Sequence, residues 1–167
     1  KPSSLAAIQL RTEFLRVANK MLHRAVMVSK ARVDLGVGAL NGELGSILAC
    51  CMKASTDRHM TGGLVWDSGW FMEVLEGRRD ALEDFWQHII KDPRHADPQR
   101  LEFVPLLKRS YDTWSVATPR RGPANHSLLR NLRSNVPTAG EVRTHVRTII
   151  ATGLVAESPP LVCAAGA

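Results

Sequence analysis

Tyrosine is almost missing from this chain: Tyr111 is the only one in 167 residues, and all aromatics together make up 5%. Basic residues are scattered along the sequence, and no RNA-binding or helix-turn-helix signature stands out, which argues against nucleic acid as a partner. No apolar run approaches the ~18 residues of a membrane span, and no secretory signal opens the chain. The three cysteines, Cys50, Cys51 and Cys163, form no CxxC pair. Neighbouring Cys50 and Cys51 would project about 100° apart on a helix, a poor geometry for bonding to each other, so a reducing intracellular compartment is expected. Neither the cysteines nor the six histidines show metal-ligand spacing, and no serine, histidine and acid grouping indicates hydrolysis. The stretch "VDLGVGALNG" offers Gly36 and Gly38, but Asn41 stands where a dinucleotide fingerprint needs its third glycine. Asn125-His126-Ser127 spells a glycosylation sequon without a secretory context to use it. The sequence begins at Lys1 without a methionine, the pattern of a processed chain or a fragment, and is compatible with an organelle such as the mitochondrion.

What is present suffices for one domain and an appendage, with 44% hydrophobic and 23% charged residues. A net charge of +6 and a pI near 9.7 permit an acidic partner, whether nucleic acid, anionic lipid or an acidic protein surface. Residues 5–22 place Leu10, Phe14, Val17 and Met21 on one helical stripe beside Arg11, Arg16 and Lys20, as in a docking helix or a targeting remnant. "LHRAVMVSKA" alternates as a first strand, and "LNGELGSILACCM" puts Leu40, Leu44, Ile47, Leu48 and Cys51 on one helical face. "MTGGLVWDSGWFMEVLEG" reads as two strands closed by the turn Asp67-Ser68-Gly69. In "RDALEDFWQHIIKDP", Asp80 is placed to cap a helix with Glu83 as its capping-box partner; Leu82, Phe85, Trp86, Ile89 and Ile90 form the apolar stripe, and Pro93 stops it. "LEFVPLLKR" and "YDTWSVAT" supply two more strands, Pro105 marking the first as an edge or a bulge.

The order βαββαββ predicts an α+β two-layer sandwich, ferredoxin-like in element order, with both helices on one face of a mixed sheet. Residues 1–20 form a helical extension, 21–118 the domain, 119–155 a Pro/Gly-rich linker with helices near 128–133 and 141–150, and 156–167 a poorly ordered tail. Within the hairpin, period two sets Trp70, Met72 and Val74 on one face and Phe71, Glu73 and Leu75 on the other. A carboxylate facing a packed layer needs a partner, a proton or water. The ordinary answer is an exposed Glu73 or an arginine partner. Glu76, three residues on, faces the opposite side.

The motifs "MLHRAVMVSKA", "MTGGLVWDSGWFMEVLEG", "DPRH" and "YDTWSV" resemble, over about residues 21–117, the BLUF family of flavin-binding blue-light sensor domains. The resemblance implies a ferredoxin-like fold and a flavin between the two helices. In the family a first-strand tyrosine gives up an electron and a proton, and a third-strand glutamine exchanges hydrogen bonds. Here Met27 occupies the tyrosine position, Glu73 the glutamine position, and Ser55 that of a flavin-bonding asparagine. Asp92, Arg94 and His95 match the family's Asp-x-Arg-His near the ribityl and phosphate end, and Trp114 matches its last-strand tryptophan. The resemblance therefore implies Ser55, Glu73, Asp92, Arg94, His95 and Trp114 as flavin-contacting positions if FAD is kept.

A thioether has no phenolic proton, and an ionised glutamate is acceptor-only where an amide both donates and accepts. Glu73 can imitate the amide only if burial keeps it protonated. The ordinary readings are that Asp92 and His95 cap a helix end and bond the following loop, and that Trp66, Trp70, Trp86 and Trp114 are core or interface anchors. The expectation is a photochemically inactive BLUF-like domain without cofactor. It would be no enzyme but an interaction or accessory subunit of a larger protein assembly. The alternative is an atypical FAD-binding photoreceptor in which Trp114 or Trp70 supplies the electron and protonated Glu73 replaces the amide.

Overall fold

A computed structural model describes residues 4–33, 43–120 and 137–157. Helix α1 (Ser4–Lys20) precedes β1 (Leu22–Ala31), α2 (Glu43–Asp57), the hairpin β2 (Thr61–Asp67) and β3 (Trp70–Arg78), α3 (Arg79–Ile89), β4 (His95–Pro105), β5 (Trp114–Thr118), α4 (Ala139–Thr152) and β6 (Leu154–Glu157). One sheet runs β4-β1-β3-β2-β5-β6, with β5 parallel to β2 and every other pairing antiparallel. The βαββαββ order and the α+β, ferredoxin-like class are those expected from sequence.

The hairpin turn follows from local chemistry. Ser68 and Gly69 both have positive φ, 49° and 83°, the combination that matches the twist of the flanking strands. Gly62 is demanded by crowding as well: its φ is 136°, and a Cβ there would lie 2.0 Å from the Val74 carbonyl oxygen.

Period two on the strands builds two cores. Ala25, Met27, Leu64, Phe71 and Leu75 pack with Leu82, Phe85 and Ile89 of α3. Val26, Val28, Val65, Met72 and Val74 pack with Val142, Val146 and Ile149 of α4. The last helix thus covers the second face of the sheet and adds a third layer to the two expected. Its start is a capping box in which Glu141 N–H donates to Thr138 Oγ1 and Thr138 N–H donates to Glu141 Oε2.

The expected capping box at Asp80 and Glu83 does not form. β3 runs straight into α3, so extended Arg78 is the N-cap and gives no side-chain capping bond. Asp80 sits in the first turn, accepting from Ala81 N–H and pairing with Arg78, while Glu83 accepts from Arg100 at 2.7 Å. Ile90, expected in the apolar stripe, is 43% exposed just past the helix end. Pro105 ends β4, an edge strand whose pairing with β1 shifts register twice. Ala156 and Glu157 belong to β6. The expected helix near 128–133, the sequon, the glycine run at 36–38 and Cys163 lie outside the described residues.

Candidate functional site

Antiparallel pairing of β1 with β3 sets Met27 directly opposite Glu73, and pairing of β2 with β3 sets Leu64 on the other side of Glu73. Directly opposed residues share a face, so this register alone brings the two positions of interest together beneath α2 and α3. Between the helices lies an open cavity of 480 Å³ lined by Cys50 and Cys51 of α2, Phe85, His88 and Ile89 of α3, Leu64, Phe71 and Glu73 of the sheet, Arg58, and the segment Lys91 to His95. Met27 and Ser29 lie on the floor beside it, with Phe71, Glu73 and His95.

Glu73 is 4% exposed, and among the described residues its Oε2 has no hydrogen-bond partner. Among the described residues no arginine pairs with it. Arg94, which lines the same cavity, is turned to Asp92, whose carboxylate accepts from both the guanidinium and the Arg94 backbone N–H. Burial therefore acts on Glu73 alone and pushes its pKa up to about 8. At neutral pH it is a carboxylic acid, one O–H donor set in an apolar floor. Burial, with the Glu73 charge second, also pushes the Cys51 thiol up to about 12, so that the sulfur stays protonated.

His95 bonds Ser29, with Nδ1 and Oγ 2.6 Å apart, and its ring lies 4.7 Å from that of Phe71. Burial lowers its pKa, favouring the neutral imidazole. Asp92 is held below the usual carboxylate range, chiefly by the hydrogen bond from Arg94. Asp92 thus shapes the loop after α3, whereas His95 ties β4 to β1 instead of capping the helix.

Four of the six expected positions, Glu73, Asp92, Arg94 and His95, line one cavity. Ser55 and Trp114 do not. Ser55 is fully buried near the end of α2 with its hydroxyl unpartnered among the described residues, and Trp114 is buried in the apolar cluster that also holds Met27. The single tyrosine, Tyr111, packs on the α4 face of the sheet. Sequence reasoning passed over the lining roles of Phe71, Phe85 and Cys51. Period two groups Phe71 with Glu73, and the helical stripes carry Phe85 and Cys51, so the signal was present. For Arg58, His88 and Lys91 no pattern in the sequence marks the cavity mouth.

The volume falls in the range of small-molecule sites, roughly 300–1,000 Å³. Apolar walls with one O–H donor on the floor suit a flat heteroaromatic ring bearing carbonyl acceptors, and Arg58, Lys91 and Arg94 at the rim suit phosphate. The residues present fit a flavin nucleotide.

Comparison with known proteins gives the family and the fold. The family model described as "BLUF: Sensors of blue-light using FAD" matches residues 22–117. Photoactivated adenylate cyclase subunit beta of Euglena gracilis is 30% identical over 77 residues, 46% of this chain and 9% of that protein. Subunit alpha of the same organism is 30% identical over 69 residues, 41% of this chain and 7% of that protein. The chain thus aligns with less than a tenth of the length of these curated relatives. Among solved structures, BlrB, a BLUF protein in its dark state, superposes with a TM-score of 0.57 at 20% identity over 80% of this chain and 98% of that one. BlrP1 of Klebsiella pneumoniae gives 0.52 at 23% identity over 70% of this chain and 29% of that one. These structural likenesses concern the fold.

Proposed function

The chain belongs to the BLUF family of blue-light sensors using FAD, and from that premise we propose that it is a flavin-holding BLUF module that lacks the tyrosine-driven switch and acts as an accessory, protein-binding part of a larger assembly. The observation that carries this reading is the cavity between α2 and α3, with a protonated Glu73 on its floor and Met27 at its side. A flavin, when bound, supplies blue-light absorption and one- or two-electron redox chemistry. Glu73 would hold it through the O–H that faces the cavity, Phe71, Phe85 and Ile89 would sandwich and shield it from water, and Arg58, Lys91 and Arg94 would meet its phosphates. Met27 offers neither a proton nor an easily oxidised ring. Tyr111 cannot substitute for the lost phenol from the opposite face.

The open cavity with its apolar walls supports a bound FAD in place of the cofactor-free domain expected from the sequence. A second reading keeps light sensing, with Trp114 as the donor, and is supported by the burial of Trp114 in the same cluster as Met27. The test of the first is flavin content. The chain purified from riboflavin-supplemented cells should carry close to one flavin per chain, and Cys51→Trp, which fills the cavity from α2, should abolish it. A well-folded chain that takes up no flavin even with FAD or FMN in excess sinks the proposal.

A further inference from the structure

Helix α1 presents Leu10, Phe14 and Val17 to solvent at 72%, 72% and 57% exposure, and Met21, the residue after its last, is 49% exposed. Their spacing of four, three and four residues is that of a coiled-coil seam, and Leu5, Ile8 and Leu15 of α1 are exposed outside it. Among the described residues the helix meets α3, and near its end Arg79 N–H at the head of α3 donates to the Met21 carbonyl at 3.1 Å. A helix of 17 residues whose apolar seam is exposed has little beyond its propensity to hold it, which is marginal in water.

The residues flanking the seam choose the occupant. Glu13 and Lys20 each stand immediately before a seam residue, Phe14 and Met21, and so occupy equivalent edge positions one heptad apart with opposite charge. In an antiparallel pair these edges face each other. Phe14 of one copy then layers on Val17 of the other, Leu10 on Met21, and Glu13 meets Lys20 twice by symmetry. A parallel pair would instead set Glu13 against Ala18 and form no such ion pair. Within one chain, among the described residues, Glu13 pairs with Arg16, at 3.9 Å and with both side chains about two-thirds exposed, a weak claim on its charge. We infer that α1 is a self-association helix, pairing antiparallel with α1 of a second copy of this chain across a two-fold axis.

The test is the mass of the full chain in solution by light scattering and sedimentation over a range of concentrations. The expected value at high concentration is twice 18.4 kDa. Phe14→Glu should give a monomer with unchanged circular dichroism from the sheet. Lys20→Glu should raise the dimer dissociation constant about tenfold, since it turns two attractive contacts into repulsive ones, and adding Glu13→Lys should restore it. That rescue cannot come from misfolding. A chain that stays monomeric up to roughly 100 μM, well above the affinity of a specific homodimer, overturns the inference. So does a dimer indifferent to Phe14→Glu, a charge swap without rescue, or a monomer whose α1 binds anionic lipid vesicles instead.

Discussion

The two faces of the sheet are made by alternate residues of the same strands, yet they are built for different ends. On the α4 face Val26, Val28, Met72 and Val74 meet Val142 and Val146 in close packing, and several polar groups are paired, with Glu76 Oε1 and the Tyr111 hydroxyl left over there among the described residues. Glu76 Oε2 accepts from the backbone N–H of Ser110 at 2.6 Å, Asp67 meets His145 Nε2 at 2.9 Å, and Glu102 takes both Arg24 and Arg143. On the α2/α3 face the packing opens into a cavity, and Glu73 is left there without a partner among the described residues. Two glutamates three residues apart on one strand therefore teach opposite lessons. Glu76 helps hold the fold, whereas Glu73 costs stability in a way that only a bound molecule would offset.

The largest expected effect lies in pH. A folded-state pKa raised from 4.5 to about 8 means that unfolded Glu73 ionises first. Its contribution is undisturbed below pH 4.5, and stability is then lost as pH rises through the window up to about 8, by as much as about 5 kcal/mol for the flavin-free chain. Buried His95 works the other way, because its lowered pKa costs stability as pH falls below about 6.5. The clean readout is therefore the difference between wild type and Glu73→Gln in urea melts, which should widen from pH 5 to pH 8. A flat difference would erase the contrast between the faces.

Next comes the close-packed face. Val146→Asp buries an unpaired charge and should cost about 4 kcal/mol in denaturant unfolding. Glu76→Ala should cost about 2 kcal/mol, because it strips the acceptor from the backbone N–H groups of Ser110 and Tyr111, whereas Glu73→Leu should be neutral or stabilising in the same assay. Equal losses at both positions would contradict the account. The smallest effect is His145→Ala, expected at about 1 kcal/mol for one lost hydrogen-bonded pair.

The strands and their faces were legible because alternation leaves a period-two trace that survives tertiary packing, as at Phe71-Met72-Glu73-Val74. The cap of α3 was misread because nothing local tells whether a strand runs into a helix without a loop. The state of Glu73 was legible only as a question. Whether it meets an arginine depends on Arg94, two residues past Asp92 on a different segment, and that choice is made by the turn after α3. The third layer announced itself through Thr138-Ala139-Gly140-Glu141, a capping-box spacing that went unused, while β6 is too short to leave a pattern.

The most direct measurement is the visible absorption of the purified chain before and after blue light. The account predicts a flavin band that does not undergo the reversible red shift of the family, and recovery of that shift when Met27→Tyr and Glu73→Gln are combined. A colourless protein, or a wild-type chain whose band shifts and recovers in the dark, would contradict it.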